Sequence, residues 1–255
     1  MEIGYCCDFA RIHNLEDLGI FEIEINASYL SQLNEEEFTQ IKNTLSKSKV
    51  KVSACNCLIQ WELKNLFESE NYNELTIYLN KLFLRLNIIG TKIVVFGSGN
   101  FRRIPENFEK EQAIKKTIDF LNFLTEIAEK YSLTIVIEPL NRKETNNILT
   151  TTEAMEYIKI INKRSLMLLV DLYHFDLENE SISKIKEFKD YIKHIHIAKP
   201  KERTIPNKDD GYDYSSFINA LKEIHYHGII SVETNFIGDF KTEVIRSKEL
   251  FESYF

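Results

Sequence analysis

The sequence predicts a (β/α)8 barrel, eight parallel strands closed on themselves inside a ring of helices, on three observations. Short apolar runs alternate with longer amphipathic stretches along the whole chain. The turn after the first run contains no glycine. Each of the last four runs delivers an acidic residue or a histidine at or near its end. The 255 residues match the roughly 250 that such a barrel commonly uses as one unit. Four prolines and eight glycines are scattered rather than gathered into a linker, so 1–255 reads as one domain.

In order, the strand-like runs are Glu2–Cys6, Phe21–Asn26, Val50–Cys57, Lys92–Phe96, Leu133–Glu138, Leu166–Asp171, Ile192–Ala198 and Ile229–Glu233. They are nearly continuous in apolar character, as strands covered on both faces are. Helical periodicity marks Glu35–Ser46, Asn73–Leu86, Glu109–Tyr131, Thr152–Ile161, Tyr214–Ile224 and Thr242–Ser253, with a shorter stretch around Ser181–Phe188. A chain that returns through a helix to the same end of a sheet pairs its strands in parallel. An open, doubly wound sheet built for nucleotides would place a glycine-rich turn after its first strand. Cys7-Asp8-Phe9-Ala10 stands there instead, which favours closure.

Charge and composition narrow the function. A net charge of −7 repels phosphate backbones and argues against nucleic acid as a partner. Lys47 to Lys51 reads as a solvated helix end. No run approaches the ~18 consecutive apolar residues of a membrane span and no basic leader precedes one, so a cytoplasmic protein is expected. The four cysteines, Cys6-Cys7 and Cys55-x-Cys57, lack the CxxC spacing of zinc knuckles and redox pairs. Cys6 and Cys7 should face opposite sides of the first strand, and all four read as buried free thiols.

Barrels carry their chemistry at the C-terminal ends of the strands. The fifth run ends at Glu138, the sixth at Asp171 and the eighth at Glu233, while the seventh contains His194-Ile-His196. An acid after an apolar strand is commonly only a helix cap. His194, one layer deeper than His196 on the same face, reads as a hydrogen-bonded core histidine. Four such residues on successive strands form a pattern that isolated caps do not. Three carboxylates brought to one point either take up protons or are compensated by a cation. Their oxygens with one imidazole suit a single divalent ion, Mn2+ first, with Mg2+, Co2+ or Zn2+ as substitutes.

Glu138-Pro-Leu-Asn-Arg-Lys-Glu-Thr-Asn146, Asp171-Leu-Tyr-His174, His194-Ile-His-Ile-Ala198 and Ser231-Val-Glu-Thr234 resemble the sugar isomerase/epimerase family of xylose isomerase-like TIM barrels, and within it the ketose 3-epimerases that act on tagatose and psicose. Phe96-Gly-Ser-Gly-Asn100 leading to Arg102-Arg103-Ile-Pro105 is similar to a segment after the fourth strand of such proteins. The resemblance implies that Glu138, Asp171, His196 and Glu233 hold the metal. It also implies that Glu144, His174 and an arginine after the seventh strand contact the sugar. The arginine is expected six residues after the metal histidine, where this chain has Glu202. Arg203 follows one residue later, and Lys199 stands where an aspartate is frequent. Oligomers are common in that family, so a homo-oligomer is also implied.

The activity implied is a metal-dependent sugar epimerase or isomerase, most closely a ketose 3-epimerase, on a free or phosphorylated sugar. Inverting a carbon next to a ketone removes a weakly acidic proton and returns one to the opposite face through an enediolate. By resemblance Glu138 and Glu233 serve as the two bases. Other residues have less specific readings. Gly97 and Gly99 suggest a tight turn near the pocket. Arg102 and Arg103 suggest either an anionic substrate contact or a salt bridge, and Trp61 a hydrophobic wall. His225 and His227 fall at the far rim, exposed. An abasic-site endonuclease of the same barrel group would need further histidines after the third, fourth and seventh strands. This chain has Cys57, Gly97-Ser98-Gly99 and a histidine-free stretch from Lys199 to Gly211. A dehydratase acting on a sugar acid or inositol derivative, and a barrel that only binds sugar, keep the same metal set and are the remaining alternatives.

Overall fold

A computed structural model describes residues 1–59, 63–69 and 71–255; Trp61 lies outside them. Strands β1 (Glu2–Cys6), β2 (Glu22–Asn26), β3 (Lys51–Asn56), β4 (Ile93–Phe96), β5 (Thr134–Ile137), β6 (Leu166–Asp171), β7 (Ile192–Ile197) and β8 (Ile229–Val232) pair in parallel in sequence order. β1 closes on β8 through Gly4↔Ser231 and Tyr5↔Val232, which makes the sheet a (β/α)8 barrel. Every strand begins within a residue or so of the run that predicts it.

The longer helices also fall where the periodicity puts them, at Glu35–Leu45, Asn73–Ile88, Lys110–Lys130, Thr151–Ile161, Ser215–Glu223 and Phe240–Glu252, with a short one at Ser183–Glu187. Their starts are chemically specified. Asn34 and Glu37 form a reciprocal capping box, and three glutamates in that first turn face the positive helix end. Thr150 and Asp239 cap Thr151–Ile161 and Phe240–Glu252. Three six-residue helices, Ile12–Asp17, Ala27–Gln32 and Leu172–Leu177, were not anticipated, because six residues hold under two turns of periodicity. Among the described residues no helix is long and apolar enough to cross a membrane.

Alternation along the strands sorts side chains between two cores. Ile23, Ile25, Ile195 and Ile197 are buried among the residues of the main hydrophobic cluster. Phe120, on the helix Lys110–Lys130, packs against Phe96 and Phe101 with ring centroids 5.4 and 5.1 Å away. Truncating it to alanine would cost roughly 3–5 kcal/mol and loosen the loop after β4. The opposite faces of the strands carry polar residues: Glu24 of β2, His194 and His196 of β7 and Ser231 of β8 are all fully buried. A charged residue in that interior needs a partner, and this one has two.

The cysteines are all free, but they are not all buried as expected: Cys55 is, Cys6 and Cys7 are half-buried, and Cys57 is exposed. Cys57 lies just past the end of β3 with φ of 49°, beyond the helix-covered part of the barrel. His225 and His227 are exposed, as expected.

Candidate metal centre and substrate cavity

Closure of the barrel brings the four strand-end residues together. One ligand atom each from Glu138, Asp171, His196 and Glu233 lie within 4.8 Å of one another. His196 Nδ1 is 3.2 Å from Glu138 Oε1 and 3.4 Å from Glu233 Oε2. Asp171 divides its carboxylate. Oδ1 accepts from the backbone N–H of Tyr173 and so caps Leu172–Leu177, whereas Oδ2 is buried without a hydrogen-bond partner, 3.5 Å from His174 Nε2. One oxygen therefore caps the helix as an acid after a strand commonly does, and the other is left free to serve as a ligand.

His196 is aimed by a residue that the sequence reading missed. Glu24 accepts from His196 Nε2 at 3.0 Å and from His194 Nε2 at 2.7 Å. Holding the Nε2 proton toward Glu24 turns Nδ1 toward the carboxylates, where a cation would replace its proton, the arrangement by which an outer carboxylate orients a metal-binding imidazole. His194 is a hydrogen-bonded core histidine as read, and its bond to Glu24 makes it part of this support. Asn56, also missed, donates from Nδ2 to Glu233 Oε1 at 2.8 Å.

Burial sets the electrostatics. It pushes the Asp171 carboxyl up to about 7, with the neighbouring Glu138 charge adding to the shift, and burial with Glu233 also raises Glu138. For Glu233 burial acts upward too, but the charges of His196 and Arg203 overcome it and hold the group well below the usual carboxylate range. Burial would likewise lower His196, yet Glu24 and Glu233 hold it well above its ordinary value. The protein alone thus leaves the cluster short of positive charge. A divalent cation fits it: the donors are hard oxygens and one imidazole, and one buried carboxylate oxygen is otherwise unused. Cys6, Glu24 and His196 form a second group of ligand-type atoms. Burial, reinforced by Glu24, keeps the Cys6 thiol protonated, so that group is the poorer metal site.

Around the cluster lies a cavity of about 590 Å3 whose wall includes Glu138, Glu144, Arg203 and Glu233. Arg203 reaches it in spite of its unexpected spacing. Lys201 and Arg203 both take left-handed backbone conformations (φ 72° and 52°), and Lys199 pairs with Thr204, which tightens the turn and throws the side chain inward. Its Nη2 donates to Glu233 Oε2 at 2.6 Å and its Nη1 lies 3.4 Å from Glu144 Oε1. Glu202, at the expected position, points to Lys199 instead. His174 is buried, and its Nδ1 accepts from the Asn141 backbone N–H at 3.1 Å. The ring proton must therefore sit on Nε2, which faces the cluster and has no hydrogen-bond partner. Burial, with Arg203 adding to it, pulls this imidazole down to about 3, so it is a neutral donor.

The loop after β4 uses its glycines and arginines in ways its sequence does not announce. Gly97 and Gly99 do not take positive φ. A side chain on Gly97 would overlap Glu138 Oε2, and one on Gly99 would press on the Glu144 carbonyl. The expected turn beside the cavity is present from Gly99 onward, and both glycines also make room for a carboxylate and a neighbouring strand-end loop. Among the described residues Arg102 neither lines the cavity nor forms a salt bridge. It is fully buried, donates from Nη2 to the Glu138 carbonyl at 2.8 Å and stacks over Phe96.

A protein-family model described as xylose isomerase-like TIM barrel matches residues 12–250. The chain belongs to that family. Among curated relatives of this xylose isomerase-like barrel, the 3-dehydro-D-guloside 4-epimerase of Escherichia coli (strain K12) is 24% identical over 230 residues, covering 88% of this chain and 85% of the relative. A probable ketose 3-epimerase of Synechocystis is 24% identical over 225 residues, covering 85% and 74%. Among solved structures, a D-psicose 3-epimerase determined in the presence of D-fructose superposes with a TM-score of 0.85 at 16% identity, covering 99% of this chain and 98% of that one. The IOLI protein, solved with a bound zinc atom, gives 0.78 at 20% identity, covering 100% and 98%. At these identities the structures establish the shared fold.

Proposed function

We propose that the chain is a divalent-metal-dependent sugar epimerase or isomerase that moves a proton at a carbon next to a ketone, most closely a ketose 3-epimerase. The observation that carries this reading is the pair Glu138 and Glu233, at the ends of β5 and β8, both at the cavity wall and both within 3.4 Å of His196 Nδ1. The names of the two relatives support it chemically. A ketose epimerised at carbon 3 and a 3-dehydro sugar epimerised at carbon 4 both invert the carbon adjacent to a carbonyl.

Glu138, Asp171, His196 and Glu233 would hold the ion, which supplies Lewis-acid stabilisation for charge developing on the substrate oxygens. The residues themselves do the proton chemistry. Glu138 Oε2 accepts no hydrogen bond among the described residues and takes the proton from one face of the substrate carbon. Glu233 works from the opposite face, its two oxygens aligned by Asn56 and Arg203. The roles reverse for the back reaction. His174 Nε2–H and Glu144 bind substrate hydroxyls, and Arg203 bridges Glu144 and Glu233. Mn2+ suits the donor set best.

Fructose, tagatose, psicose and their phosphates, incubated with Mn2+-loaded protein in deuterated buffer, test the reading. Deuterium entering a carbon-bound position of a product of unchanged composition is expected. Loss of water from the product would replace the epimerase with a dehydratase, and no exchange across the panel would reduce the protein to a binder.

A further inference from the structure

The cavity has a second wall that the proton chemistry does not use. The loop after β4 supplies Ser98 and Arg103, and the loop after β5 supplies Lys143. Arg103 Nη2 donates to the Lys143 carbonyl at 3.3 Å, which holds the guanidinium against the lysine's own backbone. Neither cation has a carboxylate partner among the described residues. Glu144, the acid next to Lys143, is engaged by Arg203 and by Asn141 Nδ2. Behind the same loop the buried Arg102 binds only carbonyl oxygens among the described residues, so among these its charge also lacks a counter-ion. Ser98, at φ 39° between the two glycines, has a buried Oγ with no hydrogen-bond partner.

Two cations on one wall without a carboxylate among the described residues are an incomplete set for a neutral sugar, whose hydroxyls answer hydrogen bonds but not charge. We propose that the substrate is an anionic sugar, whose phosphate ester or carboxylate is held by Arg103 and Lys143. This rests on the reading that a sugar occupies the cavity. Arg103 offers the forked donor geometry that both groups accept, and Lys143 adds a mobile point charge beside it.

The test uses the full-length Mn2+-loaded protein. Inorganic phosphate is titrated calorimetrically, and kcat/KM is compared for a ketose, its terminal phosphate and a keto-sugar acid of similar length. Phosphate is expected to bind and to compete with substrate, and one of the two anionic substrates is expected to exceed the neutral one. Which of the two prevails separates an ester from a carboxylate. Arg103→Gln and Lys143→Gln should each shrink the anionic-to-neutral preference about 10- to 100-fold, mainly through KM, and Arg103→Lys should restore part of it. Equal use of neutral and anionic sugars, or a preference that both glutamine variants leave intact, would overturn the inference. Deuterium exchange into neutral ketoses without phosphate binding would sink this proposal and leave the epimerase reading standing. Arg103- and Lys143-dependent phosphate binding without exchange into any sugar would do the reverse.

Discussion

Glutamine at position 24 would keep the shape of the side chain and remove the charge that His194 and His196 share. The native carboxylate accepts from both Nε2 atoms, at 2.7 and 3.0 Å, in a fully buried setting. An amide offers one acceptor oxygen and one donor nitrogen in place of two acceptors, so only one histidine can keep its Nε2 proton. If His196 loses it, the proton moves to Nδ1 and the lone pair facing Glu138 and Glu233 is gone. If His194 loses it, the proton moves to an Nδ1 that is buried without a partner. Either outcome costs ~1–3 kcal/mol of folding stability. Metal affinity should fall about 10- to 100-fold, the usual effect of losing the group that orients a ligating imidazole, which corresponds to ~1.4–2.7 kcal/mol. Calorimetric titration of chelator-treated protein with Mn2+, alongside urea unfolding, measures both. An unchanged Kd for Mn2+ would refute the argument, because the ring would then owe its orientation to something other than Glu24.

Glu138→Gln and Glu233→Gln should each lower kcat by on the order of 10²–10⁴ at saturating Mn2+ with the fold retained by circular dichroism; near-normal deuterium exchange in either variant removes that residue from proton transfer. Gly97→Ala introduces a methyl group where Glu138 Oε2 lies. A displacement of about 1 Å should reduce kcat by on the order of 10²-fold while Tm changes little, and an unaltered kcat would show that the carboxylate has room to spare. Glu22, far from the centre, is raised to about 7 by burial and then by the charge of Glu2. Its folded pKa exceeds its unfolded one, so the native state binds the extra proton and stability rises as pH falls from about 7 toward the ordinary carboxylate range. Glu22→Gln should therefore be more stable than the parent at pH ~8, by on the order of 1–3 kcal/mol, and the difference should vanish under acid conditions. Equal urea midpoints at both pH values would contradict this.

The barrel and the quartet were legible because each rests on a short-range signal: an apolar run, then a ligand-type residue at its end. Glu24 was not. In Glu22-Ile-Glu24-Ile the glutamates look like the wet side of an alternating strand, and only closure turns that side inward to meet β7. Two acids spaced i, i+2 on a strand that a barrel must cover on both faces were the available clue. Gly97 was read for backbone freedom when its use is the absence of a side chain, a fact that depends on a contact across strands. Arg203 stood one residue off the family spacing. Left-handed residues at Lys201 and Arg203 absorb the difference, and neither residue type announces such a conformation.

The metal-ligand quartet comes entirely from β5 to β8, whereas Ile59, Leu63, Ser98 and Arg103 of the cavity wall follow β3 and β4. Under the proposed function, the proton-transfer groups sit on one arc of the barrel, while part of the wall that would select the substrate sits on the other. Grafting the segment 98–105 from another member of the fold, with Gly97 kept, would change this part of the wall and leave the quartet in place. A laboratory seeking a rare sugar could diversify that arc in a library while every surviving clone inherited the same reactive groups.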